Sequence, residues 1–173
     1  MTTLVVMSGL PAVGKSAIAD ALAARMRAVV VSVDELEAAM LRSGIERSFE
    51  TGLAAYNVGA AIAEHQLRLG ITVIADAANY LEVGRQIWCS AAEVAGADIR
   101  AIEVVCSDEA LHRRRLAARE RGLEPFPEPR WADILRQRDE TEAWSRDRVV
   151  LDSVEELEAN VERALAYLAS RVR

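Results

Sequence analysis

Lysine is all but missing from this chain: Lys15 is the only one among 21 basic residues, and every other is arginine. A composition that uses arginine so widely keeps lysine where a flexible point charge is wanted and a planar fork would not fit. Cysteine is scarce as well. Cys89 and Cys106 are far apart and neither belongs to a C-x-x-C pair, so they read as reduced core residues, and no disulfide scaffold is expected. The two histidines, His65 and His112, fall in helical stretches with no partner pattern, and neither looks like a metal ligand or a base. No apolar run approaches the roughly twenty residues of a membrane helix. No basic leader precedes the first strand, and a cytoplasmic protein without membrane contact is expected. A formal net charge of −6 leaves no general attraction to nucleic acid, which makes it an unlikely partner. Repeats, low-complexity tracts and linkers are absent too. With 173 residues, about half of them hydrophobic, the chain is expected to form one domain with a full core.

What is present begins with Gly9–Ser16, GLPAVGKS, which fits the phosphate-loop pattern G-x-x-x-x-G-K-[ST] at every fixed position. A β-branched, apolar run over Thr3 to Ser8 precedes it, and an alanine-rich helical stretch over Ala17 to Met26 follows. Gly9 and Gly14 let the backbone turn its amides toward phosphate oxygens, and the helix start adds unpaired N–H groups and a positive dipole end. The predicted nucleotide contacts are therefore Gly9, Leu10, Pro11, Ala12, Val13, Gly14, Lys15, Ser16 and Ala17. Lys15 would sit near the β- and γ-phosphates, and the Ser16 hydroxyl would be a Mg²⁺ ligand.

Along the chain, strands are predicted over Ala28 to Val33, Ile71 to Asp76, Ile99 to Cys106 and Arg148 to Leu151. Helices are predicted from about Glu35 to Arg42, from about Leu53 to Leu69 with Gly70 as its stop, and over roughly Tyr80 to Ala95, with Asn79 and Glu82 at capping-box spacing. An arginine-rich helix runs to about Arg121. The stretch GLEPFPEPR, residues 122–130, holds three of the four prolines and must be a loop. Helices over Trp131 to Glu142 and after Ser153 complete the chain. Ser153 and Glu156 would cap the last helix, and Leu157, Val161, Leu165, Leu168 and Val172 would make its buried stripe. Apolar strands alternating with helices imply an α/β fold, a parallel sheet with helices on both faces. Ligands bind such sheets beyond the carboxyl ends of the strands, which gathers Gly9–Ser16, Asp34, Asp76–Asn79 and Ser107 on one rim.

Two carboxylates on that rim have chemical potential. Asp34 follows the second strand and could take the proton of an attacking hydroxyl; as an alternative it could cap the next helix, although Ser32 with Glu35 could supply that cap instead. Asp76, ending a strand, stands where a water-mediated Mg²⁺ ligand would be, or could simply bond nearby loop amides. Arg115 and Arg119, at i and i+4 before the proline-rich loop, read as lid arginines that neutralise charge on a transferred phosphoryl group.

These motifs together resemble the P-loop small-molecule kinases of the AAA_33 type, relatives of chloramphenicol phosphotransferase, zeta toxins, gluconate kinase and polynucleotide kinase. The resemblance rests on GLPAVGKS, VSVDELEAAM, GITVIADAAN, VVCSDEALHRRRLAAR and RVVLDSVEEL, and it spans nearly the whole chain. VSVDELEAAM is similar to the stretch of chloramphenicol phosphotransferase that carries its proposed base, which matches Asp34. GITVIADAAN matches the family's G-x-x-V-I-x-D-A-T-N except at Ala78, where a threonine hydroxyl is lost. RRRLAAR matches the R-x-x-x-R lid at Arg115 and Arg119, with Arg115 also on the ATP. The resemblance implies a P-loop NTPase fold, a five-stranded sheet of order 2-3-1-4-5, a lid around residues 113–131, ATP and Mg²⁺ as cofactors, and a small hydroxyl-bearing acceptor. Acceptor choice would lie around residues 35–60, with Asp34, Arg42, Arg47, Phe49, Tyr56 and Asn79 as candidate contacts. A polynucleotide 5′-hydroxyl kinase and a nucleotide-dependent switch or ATPase without acceptor are the alternatives.

Overall fold

The computed structural model describes residues 2–170. Five parallel strands form one sheet in the order β2-β3-β1-β4-β5, as the resemblance implied. The strands are β1 (Thr3–Ser8), β2 (Val29–Ser32), β3 (Val73–Asp76), β4 (Asp98–Val105) and β5 (Arg148–Asp152). The helices are α1 (Lys15–Met26), α2 (Val33–Arg42), α3 (Phe49–Arg68), α4 (Glu82–Ala95), α5 (Glu109–Ala117), α6 (Trp131–Asp139) and α7 (Leu157–Ala169).

Alternate strand residues face opposite sides, so β1 feeds two cores. Leu4 and Val6 join Val31, Val73 and Ala75 beneath α3 and α4, around the fully buried Trp88. Val5 and Met7 join Ile74, Ile102, Val104 and Leu151 beneath α1 and α7. Met7 pairs in register with Asp76 on one side and Ile102 on the other, and Ser32 pairs with Asp76. The carboxyl ends of β2, β3 and β1 thereby stand level, carrying Ser32, Asp76 and Ser8 to a shared rim. Among the described residues no helix is long and apolar enough to cross a membrane.

Several local expectations are corrected. α3 begins a turn early, at Phe49, because the Ser48 hydroxyl accepts from Thr51 N–H at 3.1 Å and caps it. α4 begins at Glu82 with no side-chain cap, because the Asn79 carboxamide is spent in the core. α7 also lacks a side-chain cap; Ser153 instead accepts from Arg115. In its stripe Val161 is buried, but Leu157 is 46% exposed at the helix start, and Val172 lies outside the described residues. α6 stops at Asp139, and the next residues, through Glu142 and Ala143, give their carbonyls to the buried Arg85 guanidinium at 3.1 Å each.

Candidate active site

Two glycines shape the phosphate loop, one by a close approach and one by its φ. At Gly9, φ is +135° and a Cβ would stand 2.1 Å from the Val104 carbonyl oxygen, so no side chain fits between β1 and β4 there. Gly14 caps α1 with φ +103°, a left-handed geometry that glycine adopts without a Cβ penalty. No side chain caps α1 and its first turn has no acidic residue, so its amides and positive dipole end face the cleft uncompensated. Pro11, Ala12, Gly14, Lys15, Ser16 and Ala17 line a cleft of about 930 Å³. Gly9, Leu10 and Val13 do not: Val13 is 2% exposed in the core, Leu10 packs against it, and Gly9 is wedged under Val104.

Lys15 is 8% exposed and donates from Nζ to the Leu10 carbonyl at 3.1 Å across its own loop. Burial pushes its amine below the usual lysine range, against the upward pull of Asp76 and Asp34. The Ser16 hydroxyl donates to Asp76 Oδ2 at 2.6 Å. The other oxygen, Asp76 Oδ1, is buried without a hydrogen-bond partner among the described residues. A hydroxyl and a half-satisfied carboxylate at the foot of a phosphate loop fit a hydrated Mg²⁺, which takes few protein ligands and keeps its waters. No group of three or more His, Cys, Asp or Glu that would form a self-sufficient metal cage occurs among the described residues.

Asp34 lies in the first turn of α2, and Ser32 is the residue that caps that helix, accepting from Glu35 N–H at 3.4 Å. Asp34 is thus spared from capping. It faces the cleft, where Arg121 hydrogen-bonds its Oδ2 and Arg119 approaches the same oxygen at 4.0 Å. Both arginines also grip Glu128, at 3.2 Å from Arg119 and 2.8 Å from Arg121.

The shared helical face expected for Arg115 and Arg119 is not formed, since α5 ends at Ala117 and Arg119 stands beyond it. Arg115 turns to the β5–α7 turn instead, donating to Ser153 Oγ at 2.7 Å and to its carbonyl at 3.0 Å. The chain leaves the helix so that Arg119 and Arg121 can reach the two carboxylates. Arg115 and Arg119 still line one cleft, from different elements. Burial, and then Arg121 beside it, push the Arg119 guanidinium below its ordinary value, while Glu128 and Asp34 resist.

Sequence reasoning missed Arg121, whose Nη2 is buried without a partner among the described residues; no spacing marked it, because it follows the helix. His112 went unassigned too. It is 5% exposed, and its Nε2 lies 2.7 Å from the Pro11 carbonyl. A carbonyl only accepts, so Nε2 carries the proton, and α5 is tied to the phosphate loop. Glu37, also unassigned, is a buried carboxyl in the cleft wall, with Arg47 3.5 Å away. Its sequence signal was an acid on the apolar side of α2.

The acceptor candidates divide. Tyr56 and Arg47 line the cleft. Arg42 is exposed in the last turn of α2 and is not part of that wall. Asn79 is 1% exposed and in a left-handed conformation, φ 50°. Its amide donates to the Met7 carbonyl at 2.6 Å, and its oxygen accepts from Trp88 Nε1 at 3.1 Å. Its backbone N–H donates to the Tyr56 hydroxyl oxygen at 3.3 Å. Asn79 therefore frames the site from behind, with both ends of its side chain engaged on protein.

Solved structures share this architecture. A sugar kinase from Janibacter sp. HTCC2649 is 21% identical, with 97% of this chain and 95% of that chain covered and a TM-score of 0.69. The Mycobacterium tuberculosis APS kinase CysC, solved with AMPPNP and APS, is 18% identical over 98% of both chains, with a TM-score of 0.73. Chaetomium thermophilum Kti12, solved with ADP-AlF3, is 17% identical, with 96% and 100% covered and a TM-score of 0.71. No curated protein matches the sequence. The fold is thus that of the P-loop kinases and their relatives. The profile of the AAA_33 family, described as an AAA domain, matches residues 4–141, most of the chain, and the chain belongs to that family.

Proposed function

We propose that this protein is an ATP- and Mg²⁺-dependent phosphotransferase that moves the γ-phosphate of ATP to a hydroxyl of a small molecule. The observation that carries this reading is the pairing, in one cleft, of an uncompensated phosphate loop with a carboxylate, Asp34, held by two arginines. Residues 1–173 would form a single kinase domain, with the lid around 113–131 and the acceptor region around 35–60. The loop amides and Lys15 bind the phosphates of ATP. Mg²⁺ would be held by Ser16 and, through water, by Asp76, and when bound it neutralises charge on the phosphate oxygens. Arg119 and Arg121 have a stronger anion to pair with once the phosphates arrive, which frees Asp34 to accept the proton of the acceptor hydroxyl. The neighbours solved with AMPPNP or ADP-AlF3 support the nucleotide part of this reading.

The test is acceptor-dependent ADP formation by the wild type and by Asp34→Asn. The amide keeps the shape and loses the basicity. Because Ser32 does the capping, stability should hold while transfer falls about 10²–10⁴-fold and ATP binding stays near wild type. Undiminished transfer would remove Asp34 from the mechanism, and ADP formation indifferent to any hydroxyl compound would favour an ATPase.

A further inference from the structure

A second cavity, of about 390 Å³, opens from the acceptor end of the cleft between the starts of α3 and α4. The two share Glu37, Arg47, Tyr56 and Tyr80, so they are continuous. Beyond those four residues the side cavity is walled by Phe49, Leu53, Leu81 and Val83, with Ser48 at its edge and Gly52 and Gly84 as backbone. Phe49 is 66% exposed and Val83 47%, apolar surface left in water at the mouth of a polar cleft. We propose, on the footing of the kinase reading above, that the acceptor is an alcohol with a compact apolar body and no anionic group. Its body is seated in this cavity, and its hydroxyl points past Tyr56 toward Asp34.

The charge pattern of the side cavity disfavours the opposite kind of acceptor. The only cation in the cavity wall is Arg47, whose exposed guanidinium lies 3.5 Å from Glu37 and stacks 5.4 Å over the Phe126 ring. A phosphate or carboxylate entering here would meet the buried Glu37 carboxylate and would have to compete with it for that one guanidinium. Apolar walls reward an apolar body instead, and Glu37 can accept one hydrogen bond from it. In the transfer the acceptor oxygen bonds to the γ-phosphorus as the bond to the β,γ-bridging oxygen breaks. ADP leaves with that electron pair, and the hydroxyl proton goes to Asp34.

Gly52 supplies a clean probe, since a Cβ there meets only Glu37 Oε2, at 3.8 Å, and otherwise open space. ADP formation with ATP and Mg²⁺ is measured on 2-phenylethanol and cyclohexylmethanol, and separately on gluconate and ribose 5-phosphate. Turnover of the first pair alone is expected. Gly52→Leu should raise the KM for those alcohols by about tenfold or more, and Gly52→Ala by less. Thermal midpoints and ATP binding of both variants report that the fold is intact, and alanine is the better helix former at this position. Turnover of the anionic pair alone overturns this proposal and leaves the kinase reading standing. An unchanged KM in Gly52→Leu places the acceptor elsewhere and also overturns it. No acceptor-dependent ADP from either pair overturns this proposal, and only ADP formation indifferent to every added hydroxyl compound overturns the kinase reading as well.

Discussion

The two ends of the cleft, donor and acceptor on the proposed function, are built by different means. The donor end is backbone: a glycine loop wedged between strands, a helix start without a cap, and one lysine. Everything there lies within eight consecutive residues, Gly9–Ser16, apart from Asp76 across one strand pairing. The acceptor end is side chains drawn from α2, α3, the start of α4 and the loop before α6, segments spread along the sequence. Asp34 and Arg121 meet across 87 positions. A binding surface made of main chain is fixed by local conformation, whereas one made of converging side chains can be re-specified by single substitutions. Solved structures of this fold include a sugar kinase and an APS kinase.

The contrast is sharpest at Lys15. Lys15→Ala should abolish phosphoryl transfer in a steady-state ADP assay while the thermal midpoint barely moves, because the amine bonds only its own loop. Retained turnover would dissolve the distinction, since the donor end would then not depend on its one cationic side chain. Arg119→Ala comes next. On the proposed mechanism it should lower kcat by about 10³-fold or more, with a smaller change in ATP affinity, as loss of a transition-state arginine does. A matched loss in affinity would move Arg119 from the chemistry to ground-state binding.

Asn79→Ala tests whether the two ends share a frame. It removes the amide donor to the Met7 carbonyl and leaves the buried Trp88 N–H without its acceptor, and the latter alone should cost about 1–3 kcal/mol in urea unfolding. If stability is unchanged, the joint between β1, α3 and α4 lies elsewhere.

The smallest effect concerns Glu37. Burial raises its carboxyl above the ordinary 4.5, with Arg47 opposing and Asp34 adding to the rise. A native pKa above the unfolded one means the fold binds the proton more tightly, so stability declines as pH rises from about the ordinary value through the raised one. Glu37→Gln should remove that decline, visible as a flatter thermal midpoint between pH 4 and 7, within about 1 kcal/mol. An unaltered slope would assign it to another group.

How far the sequence could be read follows the same division. The strand ends and the place of Lys15, Ser16 and Asp76 on the rim were legible because each depends on a short pattern of fixed spacing, whereas the sheet order came only with the family resemblance. Capping was legible where one hydroxyl had one helix to serve, as at Ser32, and misleading where a polar residue had a buried alternative. Asn79 went to Met7 and Trp88, and Ser153 went to Arg115. Arg121 and Glu37 were illegible because their roles come from partners 87 and 10 positions away that only the folded chain brings near. The end of α5 was misplaced for the same reason: helix propensity favours continuing through Arg119, and two carboxylates across the cleft prevail.

The solitary lysine gives the molecule a built-in chemical label. An amine-directed reagent finds a single side-chain amine in the entire sequence, and that amine lies in the phosphate loop with its basicity depressed by burial. Its rate of acylation reports one position without background from the surface, where arginine carries the positive charge and does not react. Bound triphosphate would cover it, so the fraction of chains labelled at Lys15, read by intact mass after removing the signal of the α-amino group, titrates occupancy of the loop directly.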